Sequence, residues 1–92
     1  MSLQAKVYNI TSDGNIDIGQ VFGKFSINIL FNSGSGTISI QGSHTDSDYI
    51  EFPESATYTD SALLNLEWSG YLRFNLSGSS SADIDISLLP YK

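Results

Sequence analysis

The chain has 92 residues, 40% of them hydrophobic, with no cysteine, one histidine and a net charge of −6. This length allows one domain with a modest hydrophobic core, and the lack of cysteine excludes disulfides. The acidic balance repels phosphate backbones and anionic lipid headgroups, so we expect neither nucleic acid nor a membrane as a partner.

Apolar and polar residues alternate through the first half of the chain, which predicts strands rather than helices. A first strand is predicted at residues 3–10 and a short one at residues 15–18. Residues 25–40 have the pattern of a β-hairpin whose turn, at residues 32–36, contains glycines that can adopt a positive φ.

The second half of the chain continues the alternation. A polar loop at residues 42–48 precedes a short strand at residues 49–52. Small strands are predicted at residues 56–59 and 63–68, and residues 71–88 have the pattern of a second hairpin.

These elements predict an all-β fold. We expect a single-domain β-sandwich or jelly roll over residues 1–92, made of seven to nine short, mostly antiparallel strands. Residues 1–20 are expected to form an N-terminal arm or edge strands. The predicted core consists of the apolar side chains that share the inward phase: Ile27, Ile29, Phe31, Ile38, Ile40, Leu64, Leu66, Trp68, Leu72, Phe74, Leu76, Ile84 and Ile86.

Side chains suited to catalysis are few. His44 lies in a serine-rich loop, but no serine elbow or other hydrolase spacing accompanies it, so we interpret it as a solvated loop residue. Asp83 and Asp85 should share the outward face of a strand, where two carboxyls do not form a glycosidase cleft. The sequence therefore predicts no enzyme and no catalytic residue.

Two acidic loops are candidate calcium sites. Residues 13–17 open like an EF-hand loop, but Ile18 stands at the position of the turn glycine. Asp46, Asp48 and Glu51 form a second oxygen-rich stretch. Acidic turns are common in sandwich folds without calcium, so we predict no metal and no cofactor, and calcium at either loop stays an open alternative.

Aromatic residues are the best candidates for an interaction surface. Four tyrosines and one arginine are predicted to face outward, where they could contact a sugar or a protein neighbour: Tyr49, Tyr58, Tyr71, Arg73 and Tyr91. Trp68 is in phase with Leu64 and Leu66, so it is predicted to anchor the core instead.

Residues 36–88 resemble small virion proteins of tailed bacteriophages. The matching pieces are GTISIQGS at residues 36–43, YIEFP at residues 49–53 and GYLRFNLSGSSSADIDISL at residues 70–88. The YLRFN run at residues 71–75 is the most specific of them. The loop at residues 43–48 departs from the family pattern because it lacks the usual turn glycine.

The resemblance implies a non-enzymatic virion structural protein that self-associates, with a trimer expected, and binds neighbouring virion proteins. It favours capsid decoration over a tail or fibre part, and it implies assembly in the host cytoplasm. The opening MSLQAKVYNI has no apolar signal core, which agrees with that location. The alternative function is a glycan-binding adhesion module, and a small hydrolase that uses His44 is a third, weaker hypothesis.

Overall fold

The computed structural model describes residues 6–52 and 57–91. Its five strands are β1 (Lys6–Ile10), β2 (Gly14–Ser43), β3 (Ile50–Glu51), β4 (Thr57–Tyr58) and β5 (Ala62–Tyr91). All their pairings are antiparallel, which confirms the predicted all-β, antiparallel class. The described ranges hold no helix long and apolar enough to cross a membrane. The parts of the predicted strands at residues 3–5 and 56 lie outside the described residues.

Two strands are far longer than predicted. β2 and β5 each span 30 residues, where the alternation predicted several short strands. Gly19 (φ 97°) and Gly23 (φ 110°) lie within β2 in a region of backbone space that other residues rarely adopt. The register shifts between Asp17 and Gly19, as in a β-bulge. The sequence pattern indicates the end of a strand near these glycines. The backbone instead bends there, and its hydrogen-bonded pairing with β5 continues.

The two predicted hairpins do not close on themselves. Residues 25–29 pair with residues 62–66 along one edge and with residues 86–90 along the other. Residues 38–42 pair with residues 72–76. A strand has only two edges, and both edges of residues 25–29 are occupied. These residues therefore cannot pair with residues 36–40, as the predicted hairpin requires. The hairpin prediction was wrong, since the local turn signal is outweighed by long-range pairing between β2 and β5.

The hydrophobic core lies between segments of these two strands. Nine of the predicted core residues are buried: Ile27, Ile29, Ile38, Ile40, Leu72, Phe74, Leu76, Ile84 and Ile86. Four others are only partly buried against that core: Phe31, Leu64, Leu66 and Trp68. Residues 62–67 pair along one edge within the described structure, so the leucines lie at the margin of the sheet. Ile10, Phe25, Ala82 and Leu88 complete the buried set.

Candidate functional site

A pocket of about 350 Å³ lies between the loop after β2 and the indole of Trp68. His44 stacks on Trp68 with 5.5 Å between ring centroids and 16° between planes. Phe52 meets the same indole edge to face, at 5.0 Å and 70°. The Trp68 Nε1–H donates to the carbonyl oxygen of Tyr71 at 3.1 Å, which fixes the orientation of the ring. Three aromatic rings and the side chain of Ile50 therefore make up the apolar residues of the pocket.

Two glycines make room for the indole. A Cβ atom on Gly42 would lie 2.7 Å from Cε1 of Phe52 and 2.8 Å from Cζ2 of Trp68. On Gly70 it would lie 2.8 Å from the carbonyl oxygen of Ser43 and 2.9 Å from Cζ2 of Trp68. Real Cβ contacts are longer than this, so a larger residue at either position would displace the ring. The floor of the pocket depends on both glycines.

The loop that forms one wall is held by the hydroxyl of Ser43, which is itself buried. This hydroxyl donates to the carbonyl oxygen of Ser47 and accepts from the backbone N–H groups of Thr45, at 3.1 Å, and Ser47, at 3.3 Å. Asp46 (φ 61°) and Asp48 (φ 47°) adopt the left-handed conformation, which aspartate tolerates better than most residues. Hydrogen bonds within the loop therefore hold this wall of the pocket in place.

Two of the predicted interaction residues brace this loop from outside. The guanidinium carbon of Arg73 lies 3.8 Å from the ring centroid of Tyr49. The Tyr49 hydroxyl donates to Oδ1 of Asp46 at 2.5 Å, and Nε of Arg73 donates to Oδ1 of Asp17 at 2.5 Å. These contacts join the loop to β5 and to the start of β2.

The other predicted surface residues are placed differently. Tyr71 is half-buried, and it shares a sheet face with Arg73 because the two lie two positions apart on β5. Tyr58 packs against the hydrophobic core, opposite Ile38. Tyr91 pairs with Lys24 through its backbone, and its side chain lies outside the described structure. The structure thus gathers Tyr49, Tyr71 and Arg73 in one region and separates Tyr58 from them.

Asp13 and Asp17 of the first calcium-like loop, and Asp46 of the second, interact with other residues of the chain. Asp13 accepts from Ser79 N, at 2.8 Å, and from Gly78 N, at 3.2 Å. The hydrogen bonds to Ser79, from its hydroxyl and its backbone N–H, hold the pKa of Asp13 below its ordinary value. Asp17 is paired with Arg73. Within residues 6–52 and 57–91, no three histidine or acidic side chains converge as metal ligands would.

The Asp83 and Asp85 pair also has partners within the sheet. Asn9 Nδ2 donates to Oδ1 of each aspartate at 2.8 Å, and Asn32 Nδ2 donates to Oδ2 of Asp85 at 3.0 Å. The hydrogen bonds from Asn32 and then Asn9 lower the pKa of Asp85. These carboxylates fasten neighbouring strands to one another.

Replacing Asp46 with asparagine should lower the pKa of Tyr49, which is raised to about 12 chiefly by the hydrogen bond to the Asp46 carboxylate. The ordinary value is 10.0, so folding holds the phenol proton more tightly. This contribution to stability is complete below pH 10, and it is lost as the pH rises through 12. An NMR titration of Tyr49 checks the shift. Asp60→Asn, in a different loop, is the control, and an unchanged Tyr49 pKa in Asp46→Asn would contradict the assignment.

Comparison with known proteins gives no match: no protein-family model, curated protein or solved structure is significantly similar to this chain. The resemblance to phage virion proteins therefore rests on the sequence motifs alone.

Proposed function

We propose that the protein is a non-enzymatic structural component of a tailed-phage virion, which self-associates and binds neighbouring capsid or tail proteins. Capsid decoration is the favoured position, and assembly would take place in the host cytoplasm. The observation that carries the proposal is an uncharged row with exposed aliphatic side chains that crosses one outward sheet face. The sequence motifs of residues 36–88 supply the virion context.

The pairing register supports a jelly roll as the finer description of the fold. β2 and β5 can each be divided at their bends into shorter segments. These segments form two groups, and the members of each group pair with one another side by side. One group comprises β1 with residues 84–91, 24–31 and 62–67. The second comprises residues 14–22, 69–76 and 37–43 with the short β3 and β4. β3 and β4 pair with the same edge of residues 38–42, so together they take one place in the second layer. Two layers of four places each are typical of jelly rolls, the architecture of many viral capsid and lectin domains.

The outer face of the first group holds the exposed side chains of Val7, Leu30, Leu63 and Leu89. Charged residues of the same phase, Lys24, Glu67 and Asp85, lie on either side of its central row. Val7 is 65% exposed and Leu63 is 74% exposed. Register places Val7 opposite Ser87, Ser87 opposite Asn28, and Asn28 opposite Leu63, so these side chains cross the face in one row. The residues within that row are uncharged.

Such a face suits association between copies of the chain. Interfaces are poor in charge at their centre, and burial of aliphatic side chains drives the contact. No charged residue lies within the row itself, so a contact centred on it would bury no charge at its centre. Burial between copies would also add to the stability of a domain this small.

Light scattering on a sizing column should give a mass several times the 10.0 kDa of one chain, with a trimer expected. Leu63→Asp should shift the protein towards monomer, because a carboxylate would then be buried at the contact. Phe22→Asp is the matched control: Phe22 is 81% exposed but belongs to the other group of segments, so assembly should persist. A monomer at every concentration would rule out self-association.

Attachment to a glycan is the second candidate function. The pocket beside Trp68 favours it, since aromatic rings next to carboxylates and hydroxyls are suited to sugars. Jelly rolls serve lectins as well as capsids, so both candidates fit the same architecture.

A further inference from the structure

We propose that the pocket beside Trp68 is a binding site for a neutral saccharide. The inference rests on the glycan-binding candidate above and names its site and ligand class. It does not depend on self-association. The site also differs from the tyrosine surface predicted from the sequence, because its aromatic residues are His44, Phe52 and Trp68.

The apolar part of the pocket matches the C–H faces of a sugar ring. Trp68 is only partly buried and His44 is exposed, so both rings are accessible at the pocket. Glycine at positions 42 and 70 lets the indole of Trp68 lie directly against the backbone, where a Cβ atom would collide with it. The ring is therefore held in one place at the pocket.

The polar part of the pocket matches sugar hydroxyls. Asp48, Glu51, Thr45 and Ser47 are among the residues that line it. A carboxylate accepts hydrogen bonds from hydroxyl groups with charge assistance, which strengthens them. Hydroxyl side chains can both donate and accept, as sugar hydroxyls do. Acceptors and donors therefore lie next to an aromatic platform.

Charge selects against anionic ligands. The negative charges of Asp48 and Glu51 disfavour a uronate or a phosphate in a pocket that both residues line, and the whole chain carries −6. A neutral sugar meets no such penalty. The ligand class is therefore a neutral hexose or a short neutral oligosaccharide.

The pocket is preorganised and of suitable size. Its volume of about 350 Å³ lies at the lower end of the range for small-molecule sites, roughly 300–1,000 Å³. The Ser43 hydrogen bonds hold the loop from inside, and the Tyr49 contacts with Asp46 and Arg73 hold it from outside. A fixed wall reduces the ordering cost of binding, which matters most for weak ligands.

The test is a titration that uses the single tryptophan as its reporter. Glucose, galactose, mannose, N-acetylglucosamine and their short oligomers are added while Trp68 fluorescence is recorded, and calorimetry confirms any hit. Glucuronate serves as the anionic probe and tetramethylammonium as the cationic one. We expect a saturable signal with at least one neutral sugar, with a Kd in the millimolar range or below, roughly −4 kcal/mol or stronger.

Three variants define the site. Glu51→Gln and His44→Ala should each weaken binding by about tenfold, because one removes a charged acceptor and the other part of the stack. Glu67→Gln is the matched control: it makes the same chemical change next to Trp68, but Glu67 points to the opposite face because successive residues of a strand do so. Its affinity should equal that of the unmodified protein. Thermal melting of each variant checks that the fold is intact.

Three outcomes would overturn the proposal: no saturable change with any neutral sugar up to about 10 mM, glucuronate binding as tightly as its neutral counterpart, or tetramethylammonium binding in place of sugars. The sizing column is run on the same samples. Assembly without sugar binding would remove only the glycan site, and sugar binding by a monomer would support the site while removing self-association.

Discussion

Replacing Phe74 with alanine should lower the free energy of unfolding by about 3–5 kcal/mol. The side chain is fully buried at the centre of β5. Its backbone pairs with Ile16 on one edge and Ile40 on the other, so neither neighbour can move inward to fill the cavity without breaking the ladder. Small domains have about 5–15 kcal/mol of stability in total, so the loss is a large part of it.

Phe22→Ala is the matched control for this change. It removes the same ring from a side chain that is 81% exposed, so no cavity forms and stability should change by about 0.5 kcal/mol or less. Urea denaturation at one protein concentration measures both variants, which keeps any effect of assembly constant. Equal losses for the two variants would show that the inward phase of β5 is misassigned.

Gly34→Ala should cost more than a left-handed backbone alone explains. Gly34 has φ 76°, where an L-residue pays roughly 1–2 kcal/mol. Its new Cβ would also run into the carbonyl oxygen of Ser81 and lie 2.6 Å from that of Ser80. These are backbone atoms, so no side chain can rotate away. To make room, β2 would have to move away from β5 near Ser80 and Ser81.

Gly78→Ala separates the two causes. Gly78 has a comparable φ of 60°, yet a Cβ there would meet nothing within 4 Å. Its expected cost is the backbone penalty of roughly 1–2 kcal/mol. The difference between the two variants in denaturant titrations therefore measures the close approach at Gly34. Identical losses would mean that the strands do not touch at this bend.

The faces of the strands could be predicted from the sequence, whereas their partners could not. Alternation is a local property, so it identified Ile27, Ile29, Ile84 and Ile86 as buried. Pairing is set by contacts between distant segments, which leave no mark on the local pattern. The glycine-rich turn at residues 32–36 therefore indicated a hairpin that the fold does not contain.

The same reason explains what was predicted of the site. Tyr49 and Arg73 were identified individually as outward-facing residues, and the structure shows their contact with each other. The pocket was missed, because His44 was interpreted as solvated and Trp68 as a core anchor. Only the register of Ser43 opposite Tyr71 brings their segments together. Gly42 and Gly70, two glycines beside strand residues on neighbouring segments, were the signal that could have indicated it.

The pairing of β2 with β5 also governs when the protein can fold. Proteins dominated by contacts between distant residues fold slowly, because the entropy of closing long loops is lost before the contacts are gained. During synthesis, β2 leaves the ribosome well before the strand that pairs with it. The apolar residues of β2 stay unpaired until β5 has been synthesised. The fold therefore forms in one late step, and the period before that step is when the nascent chain is most exposed to aggregation.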